Sequence, residues 1–286
     1  MALYRLPGIY IYALPRVNRH ADRNFRREID DVLLYYDDNE LRQRYRFGSE
    51  TIRYITRLVE DDIQPQTNRN HPVSAIRQVL ITLRFLASGS FQQVTGDTVA
   101  GLDKSTVSRI IRRVTVALSR RIDQFIRFPN SQEERDATKQ GFYEIANFPC
   151  VIGCIDATHI RIIAPSDNEW DFVNRKRYHS INVQGICDYK GKFTNVVARW
   201  PGSTHDSHIF RTSHINHELE ETNFENGVLI GDSGYACLPY LMTPYLDPQT
   251  QSQRRFNRAL KITRSIIKRS FGILKRRFHV LHSEIK

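Results

Sequence analysis

The sequence predicts an α/β (α+β) protein, with helices gathered in its first half and strands in its second. From Ser49 to Ile122, apolar residues recur at steps of three and four, the helical period. After about residue 149 the texture changes to short apolar runs rich in Val and Ile, bounded by turn residues, as in buried strands. From about Asn257 to the end the helical period returns in one long stretch. With 286 residues, 40% of them apolar, the chain can build one large domain or two ordinary ones.

Taken in order, residues 1 to about 38 read as an irregular arm and a helical stretch, NFRREIDDVLLYYDD. Asp38 and Asn39 are expected to cap the next helix, ELRQRYRF. Ser49 begins SETIRYITRLVEDDI, with Ile52, Ile55, Leu58 and Val59 at helical spacing. Pro65 to Pro72 is a polar linker without periodicity. VSAIRQVLITLRFLASG is the next helix, closed by Gly89. SFQQVTGDTVAG reads as a short helix and turn, and Asp103 caps KSTVSRIIRRVTVALSRRI. In that last segment Val107, Ile110, Ile111, Val114, Leu118 and Ile122 make one buried stripe. The opposite side carries Lys104, Ser105, Thr106, Ser108, Arg109, Arg112 and Arg113.

A short helix, a turn, and a second helix with a polar, basic start form a helix-turn-helix layout. The first turns of its second helix meet base edges and phosphates. Ser105, Thr106, Ser108, Arg109, Arg112 and Arg113 are therefore the candidate DNA contacts, against the plainer reading of a helical bundle with a solvated basic face. Residues 129–149 form a linker and a short helix. VIGCIDATHIRI is the first strand, HSINVQGICDYKGKFTNVVARWPG two strands joined at Asp188 to Lys192, and GVLIGD a further short strand. STHDSHIFRTSHINHELEETNFEN between them is a loop plus helix. In the terminal helix Ile267, Phe271, Leu274, Phe278 and Leu281 share one face. The expected division is 1–72, an N-terminal helical arm and linker; 73–128, the helix-turn-helix-like DNA-binding region; and 129–286, the strand-bearing domain.

The net charge is +11, and Ser233 to Lys286 alone holds eleven Lys/Arg against Asp247 and Glu284. Charge so unevenly placed points to a polyanionic partner, nucleic acid first. No run approaches the roughly eighteen apolar residues a membrane-spanning helix needs, and Pro7, Pro15 and arginines break the mildly apolar start, so neither a signal peptide nor a membrane span is expected. Cys150, Cys154, Cys187 and Cys237 form no CxxC pair and read as reduced core thiols; a zinc site on Cys150, Cys154 and a histidine fits no common spacing.

Three acids stand where strand meets loop. Asp156 lies inside the first strand, Asp206 follows the third in GSTHD, and Asp232 ends GVLIGD before Gly234. A buried carboxylate is costly unless paired or bound to a cation. Carboxylates at the ends of neighbouring strands converge on one crevice. Hard divalent cations accept one or two carboxylates with water and phosphate, and a pair of such ions activates water in phosphodiester cleavage. Strand-end acids in a basic chain thus point to metal-dependent nuclease chemistry, and turn or cap aspartates are the alternative. His159, His205 and His208 lie near the same acids and are candidates for phosphate contact or general-base work.

GCIDATHIRI, INVQGICDYKGKF, WPGSTHDSHIF, GDSGY with Pro and Tyr following, and NRALKITRSIIKRSFGILKRRF occur here in one order, and that order resembles the PIF/Harbinger transposases and the nucleases derived from them. The likeness covers about residues 150–281, and LDKSTVSRIIRRV is similar to that family's helix-turn-helix. The resemblance implies an RNase H-like DDE catalytic domain with a central mixed sheet. It implies divalent metal, Mg²⁺ or Mn²⁺, on Asp156, Asp206 and Asp232, with Asp156 and Asp232 the principal catalytic acids. It implies cleavage of DNA phosphodiesters, a nuclear protein with the cytoplasm as a second location, and a Myb/SANT-like partner protein. The family's last acid, a Glu in an I-E-R-x-F-G context, is replaced here by Lys268 in Ile267 to Gly272. Unit charges about 4 Å apart interact by roughly 4 kcal/mol at an effective dielectric near 20, and against a metal ion the sign is now repulsive. The chain also ends soon after this helix, where family members usually continue with another helical segment, so a C-terminal truncation is expected. Two functions follow from this pattern: a metal-dependent endonuclease impaired by Lys268, and a catalytically inactive, domesticated DNA-binding protein.

Overall fold

The computed structural model describes residues 33, 36–65, 72–90, 102–222 and 227–285. Its first helix, α1 (Asp38–Tyr45), is capped one residue earlier than expected. Asp37 accepts from the backbone N–H groups of Asn39 and Glu40, while Glu40 reaches back to the N–H of Asp37, a reciprocal capping box. Asp38 instead starts the following helix, α2 (Ser49–Ile63), accepting from the Ser49 N–H at 2.9 Å and its hydroxyl at 2.8 Å. The α2 stripe that reaches the interior is Ile52, Thr56, Val59 and Ile63. The third helix, α3 (Ala75–Ser88), buries ten of its residues and ends at Gly89, whose φ of 64° is the left-handed conformation expected of a helix-closing glycine.

The basic helix is α4 (Lys104–Ser119), with Asp103 accepting from the Ser105 N–H. Val107, Ile110, Ile111 and Val114 pack inward as the spacing predicts, but Ile122 falls beyond the helix end in a short 3₁₀ turn and is 43% exposed. The short helix preceding α4 in the expected helix-turn-helix occupies residues outside the described ones. Linker residues 129–149 contain a longer helix than expected, α5 (Gln132–Ala146), capped by Ser131 and burying Phe142 completely.

The second half is a five-stranded mixed sheet in the order β3-β2-β1-β4-β5. Strand β1 (Val151–Arg161) pairs antiparallel with β2 (Ser180–Cys187), and β2 antiparallel with β3 (Phe193–Pro201). Asp188 closes the β2–β3 turn by accepting from the N–H groups of Lys190 and Lys192. On the other side β1 runs parallel to β4 (Val228–Ile230), and β4 to the two-residue β5 (Leu241–Met242). The segment between β3 and β4 folds as two helices, α6 (Asp206–Arg211) and α7 (His214–Thr222). The chain's longest helix, α8 (Gln251–Arg277), starts six residues earlier than expected, at a capping box of Thr250 and Gln253. It ends before Phe278, and Leu281 lies in a separate 3₁₀ turn.

The sheet is the middle layer of three. Ile152, Ile155, Ile186 and Leu229 face Phe210, Ile215 and Leu219 of α6 and α7. Val151, Cys154, Cys187 and Ile230 face Phe142 of α5 and Leu260, Ile267 and Phe271 of α8. A bulge between Val151 and Gly153 sets which side chains of β1 face each layer. The helices α1 to α4 share a second core, and Val280 from beyond α8 is buried inside it. Two of the four thiols, Cys154 and Cys187, are buried as expected; Cys150, in the turn before β1, and Cys237, in the loop between β4 and β5, are exposed. No described helix is long and apolar enough to cross a membrane.

Candidate functional site

The mixed sheet brings two of the expected acids together. Asp156 projects from β1 towards α8 and is 9% exposed. Asp232 stands two residues past β4, the parallel neighbour of β1, and Asp156 two residues past Cys154, the β1 partner of Ile230, so the two carboxylates meet where β4 has ended and β1 runs on. Between them lies a side chain the sequence reading passed over, Arg264. One of its guanidinium nitrogens, Nη2, is 3.5 Å from Asp156 Oδ2 and 3.3 Å from Asp232 Oδ2. The other oxygen of each acid is held by the backbone: the Ala157 N–H donates to Asp156 Oδ1 at 3.0 Å and the Gly234 N–H to Asp232 Oδ1 at 2.9 Å.

Burial pushes the Asp156 pKa up, and the Asp232 charge adds to this; Arg264, the Ala157 N–H and the more distant Lys268 pull against it without cancelling it. Lys268 stands one turn after Arg264 on α8, exposed, at the position where the resemblance leads one to expect a glutamate. The repeat of four residues in TRSIIK was the available signal for Arg264, since side chains at i and i+4 share a helix face.

Asp206 is presented from the opposite layer. It is the first residue of α6, and Asn182 on β2 donates to its Oδ1 at 2.8 Å and to Thr204 O at 2.9 Å. Asp206 and Asp232 line the same open cleft, of about 280 Å³, together with His159, Arg175, Asn182, His205 and the segment Gly202 to Thr204. Asp156 is not among its walls. Gly234 keeps this space clear: a methyl group built there would lie 3.0 Å from Asp232 Oδ1 and 4.0 Å from Asp206 Oδ2. Tyr235, next to Gly234, is buried, its hydroxyl 3.4 Å from Gln184 Oε1, and its pKa is held well above the usual value by burial and then by Asp206, Asp156 and Asp232.

His159 faces the cleft with Nδ1 3.1 Å from the Ser180 hydroxyl. Burial lowers its pKa and Arg175, Lys275 and Lys176 act in the same direction, opposed by Asp206, which favours a neutral imidazole. Lys275 of α8 donates to the His159 carbonyl at 2.8 Å. His208 packs edge-on against Trp200, ring centroids 4.9 Å apart, and is absent from the cleft walls.

Among the described residues no three His, Cys, Asp or Glu side chains gather closely enough to hold a metal ion. The expected three-acid cluster is thus a pair, Asp156 with Asp232, and a third acid across the cleft, because Asp206 springs from the layer on the other side of the sheet. The converging oxygens of Asp156 and Asp232 are hard donors of the type that Mg²⁺ accepts singly or in pairs, completing its shell with water and phosphate. A guanidinium now stands between them with its own Nε buried and without a hydrogen-bond partner. The donor set fits a hard divalent ion once Arg264 withdraws.

The candidate DNA contacts lie on one exposed side of α4. Ser105, Ser108, Arg109, Arg112 and Arg113 are exposed and Thr106 is half-buried. Arg109 donates to the Ser105 carbonyl at 3.1 Å, and Arg113 donates to Gln78 Oε1 of α3 at 3.1 Å.

Residues 155–286 match the family model described as DDE superfamily endonuclease. Over 254 residues the chain is 36% identical to the human (Homo sapiens) protein named "Putative nuclease HARBI1", covering 89% of this chain and 71% of that one. The Xenopus laevis protein of the same name is 33% identical over 266 residues, 93% and 74% of the two chains. "Protein ALP1-like" of Arabidopsis thaliana is 28% identical over 265 residues, 83% and 63%. No solved structure matches. The ordered motifs, the mixed sheet with acids on and just past adjacent strands, and relatives alike over most of their length place the chain in the Harbinger transposase-derived nuclease family, with its DDE endonuclease domain.

Proposed function

We propose that this chain acts on DNA as a DDE-type, divalent-metal-dependent endonuclease whose phosphodiester hydrolysis is reduced by Lys268. The observation that carries the reading is the pair of Asp156, buried within β1, and Asp232, half-buried just past the neighbouring parallel strand β4, converging on a single cation. In this reading the pair would hold Mg²⁺ or Mn²⁺, which would supply an activated water and charge stabilisation at the scissile phosphate. The chain's own groups do the rest. Arg175 on the cleft wall offers a guanidinium to a phosphate oxygen. Asn182 fixes the Asp206 carboxylate so that its free oxygen faces the cleft. A neutral His159 can accept a proton there. The basic side of α4 would grip the duplex backbone, with a nuclear location and a Myb/SANT-like partner as further parts of the same reading.

The test is incubation of the purified chain with supercoiled plasmid and Mn²⁺, alongside Lys268→Glu. Replacing a cation by a carboxylate removes a like-charge term of several kcal/mol at close range, so a gain in nicking rate of at least about tenfold is expected. One observation favours a second reading, DNA binding without cleavage: the acid pair is already neutralised in part by Arg264. Binding of duplex DNA by both forms, with cleavage by neither, would establish that reading and remove the first.

A further inference from the structure

Arg264 is placed by the helix that carries it. Thr263, Ile266 and Ile267 of α8 are buried against the sheet, which fixes the rotation of the helix and turns Arg264 towards the acids. Its side chain is 14% exposed, close to the 13% of its partner Asp156. Yet the grip is poor by the standard of an arginine built to hold carboxylates. Such pairs form two parallel hydrogen bonds at about 2.7–2.9 Å. Here one nitrogen is shared between two acids at 3.3 and 3.5 Å, and Nε is buried with no partner. A buried donor left unmade is a cost. Two cations one turn apart, Arg264 and Lys268, add a repulsion of their own. The arrangement meets the acids' need for positive charge while leaving the guanidinium incompletely satisfied.

We propose that Arg264 is a displaceable counter-ion: it holds Asp156 and Asp232 together in the metal-free chain and competes with a divalent cation for the same two oxygens. This rests on the reading above that the acid pair accepts such a cation. It assigns the weakness of that binding to two separate side chains. Arg264 occupies the position between the acids, and Lys268 repels from outside. Loading the site then requires the guanidinium to swing off both carboxylates, and the phosphates of a bound DNA strand in the adjoining cleft are groups that can receive it. Arg264 is therefore a positioning residue that sets the metal affinity of the site, distinct from the acids that would hold the ion.

The experiment is titration of the full chain with Mn²⁺ alone, followed by calorimetry and by the shift in unfolding temperature, for the wild type, Arg264→Gln, Arg264→Lys and Lys268→Glu. In metal-free buffer Arg264→Gln is expected to unfold below the wild type, because the buried Asp156 and the half-buried Asp232 lose their cation. It is expected to bind Mn²⁺ at least about tenfold more tightly, since removing a unit positive charge from between the acids ends its competition for the same oxygens. Adding Asp156→Asn to it is expected to abolish the gain. Arg264→Lys keeps the charge and protects the fold, and its Mn²⁺ affinity is expected to fall between those of wild type and Arg264→Gln. Unchanged affinity in both Arg264 variants, while Lys268→Glu binds Mn²⁺ well, would overturn the role given to Arg264 and leave the metal-holding pair standing. Absence of Mn²⁺ binding in all four chains would overturn the metal-holding pair itself.

Discussion

Asp37 and Asp38 are adjacent carboxylates with different tasks, and only the structure separates them. Asp37 closes the start of its own helix, whereas Asp38 reaches eleven residues ahead to the first N–H and hydroxyl of α2. The Ser49 N–H and hydroxyl, with Arg42 beside them, hold the Asp38 pKa below its ordinary value. A carboxylate whose folded pKa is depressed contributes stability above its unfolded pKa and loses it as the pH falls through the folded one. Asp38→Asn is therefore expected to lower the unfolding temperature at neutral pH. The gap between variant and wild type is expected to close as the pH drops below about 3.9, the ordinary aspartate value. Calorimetric scans across that range measure it, and a gap that persists at the acid end would show that the carboxylate's charge is not the source. The same scale shows what sequence could reveal of the site. Asp156 and Asp232 were legible because a lone acid in an apolar strand is conspicuous. Arg264 was not, because one arginine among many on a basic helix gains meaning only when the rotation of α8 is known.

Among the elements, α4 was the most legible, since five buried side chains repeat at helical steps and an aspartate marks the start. Strand β5 could not be read at all, because two residues show no period. The length of α5 was missed for a related reason: only Thr138, Gly141 and Phe142 of its fifteen residues are buried, too few to make a stripe. The exposed side of α4 supports a prediction that discriminates among its arginines. Arg109 and Arg112 have no side-chain anchor on a neighbouring helix among the described bonds, while Arg113 is tied to Gln78, a residue 1% exposed that also donates to the carbonyls of Ile63 and Val73. If this side grips phosphates, Arg109→Ala and Arg112→Ala should each weaken duplex binding on any sequence and reduce the slope of log affinity against log salt by about one. Arg113→Ala should do so as well and should also cost about 1 kcal/mol of stability through the lost bond to a buried partner. Fluorescence anisotropy at several salt concentrations, paired with thermal unfolding, reads both effects. Equal salt slopes in all four chains would remove α4 from the DNA interface.

At the scale of the whole molecule the two cores are joined through the end of the chain, which a reading in sequence order has no means to foresee. After α8 leaves the sheet, the Arg277 guanidinium donates to the Arg46 carbonyl at 2.9 Å and lies 4.8 Å from the centre of the Phe47 ring. Arg46 returns the contact, its Nε donating to the Arg277 carbonyl at 3.1 Å, and Phe278 packs on Phe47. Val280, 3% exposed, then enters the core of α1 to α4, and Ile285 pairs beside Ile162 just past β1. Residues that follow the candidate catalytic helix therefore complete the helical region. The hydrophobic periodicities of the two regions were each visible, but their union is made by Val280, Phe278, Leu281 and Ile285 together with a pair of arginine contacts more than two hundred residues apart. Val280→Ala removes two methyl groups from a site with no room to spare and should cost about 2 kcal/mol. The loss is expected to fall first on the helical core. Amide exchange should quicken in α3, at Leu80 to Leu83, while β1 and β4, at Ile152, Ile155 and Leu229, keep their protection. Equal acceleration in both would show instead that α8 and its terminal turn bind helices and sheet into one cooperative unit, so that any change at Arg264 or Lys268 would be felt as far away as α1.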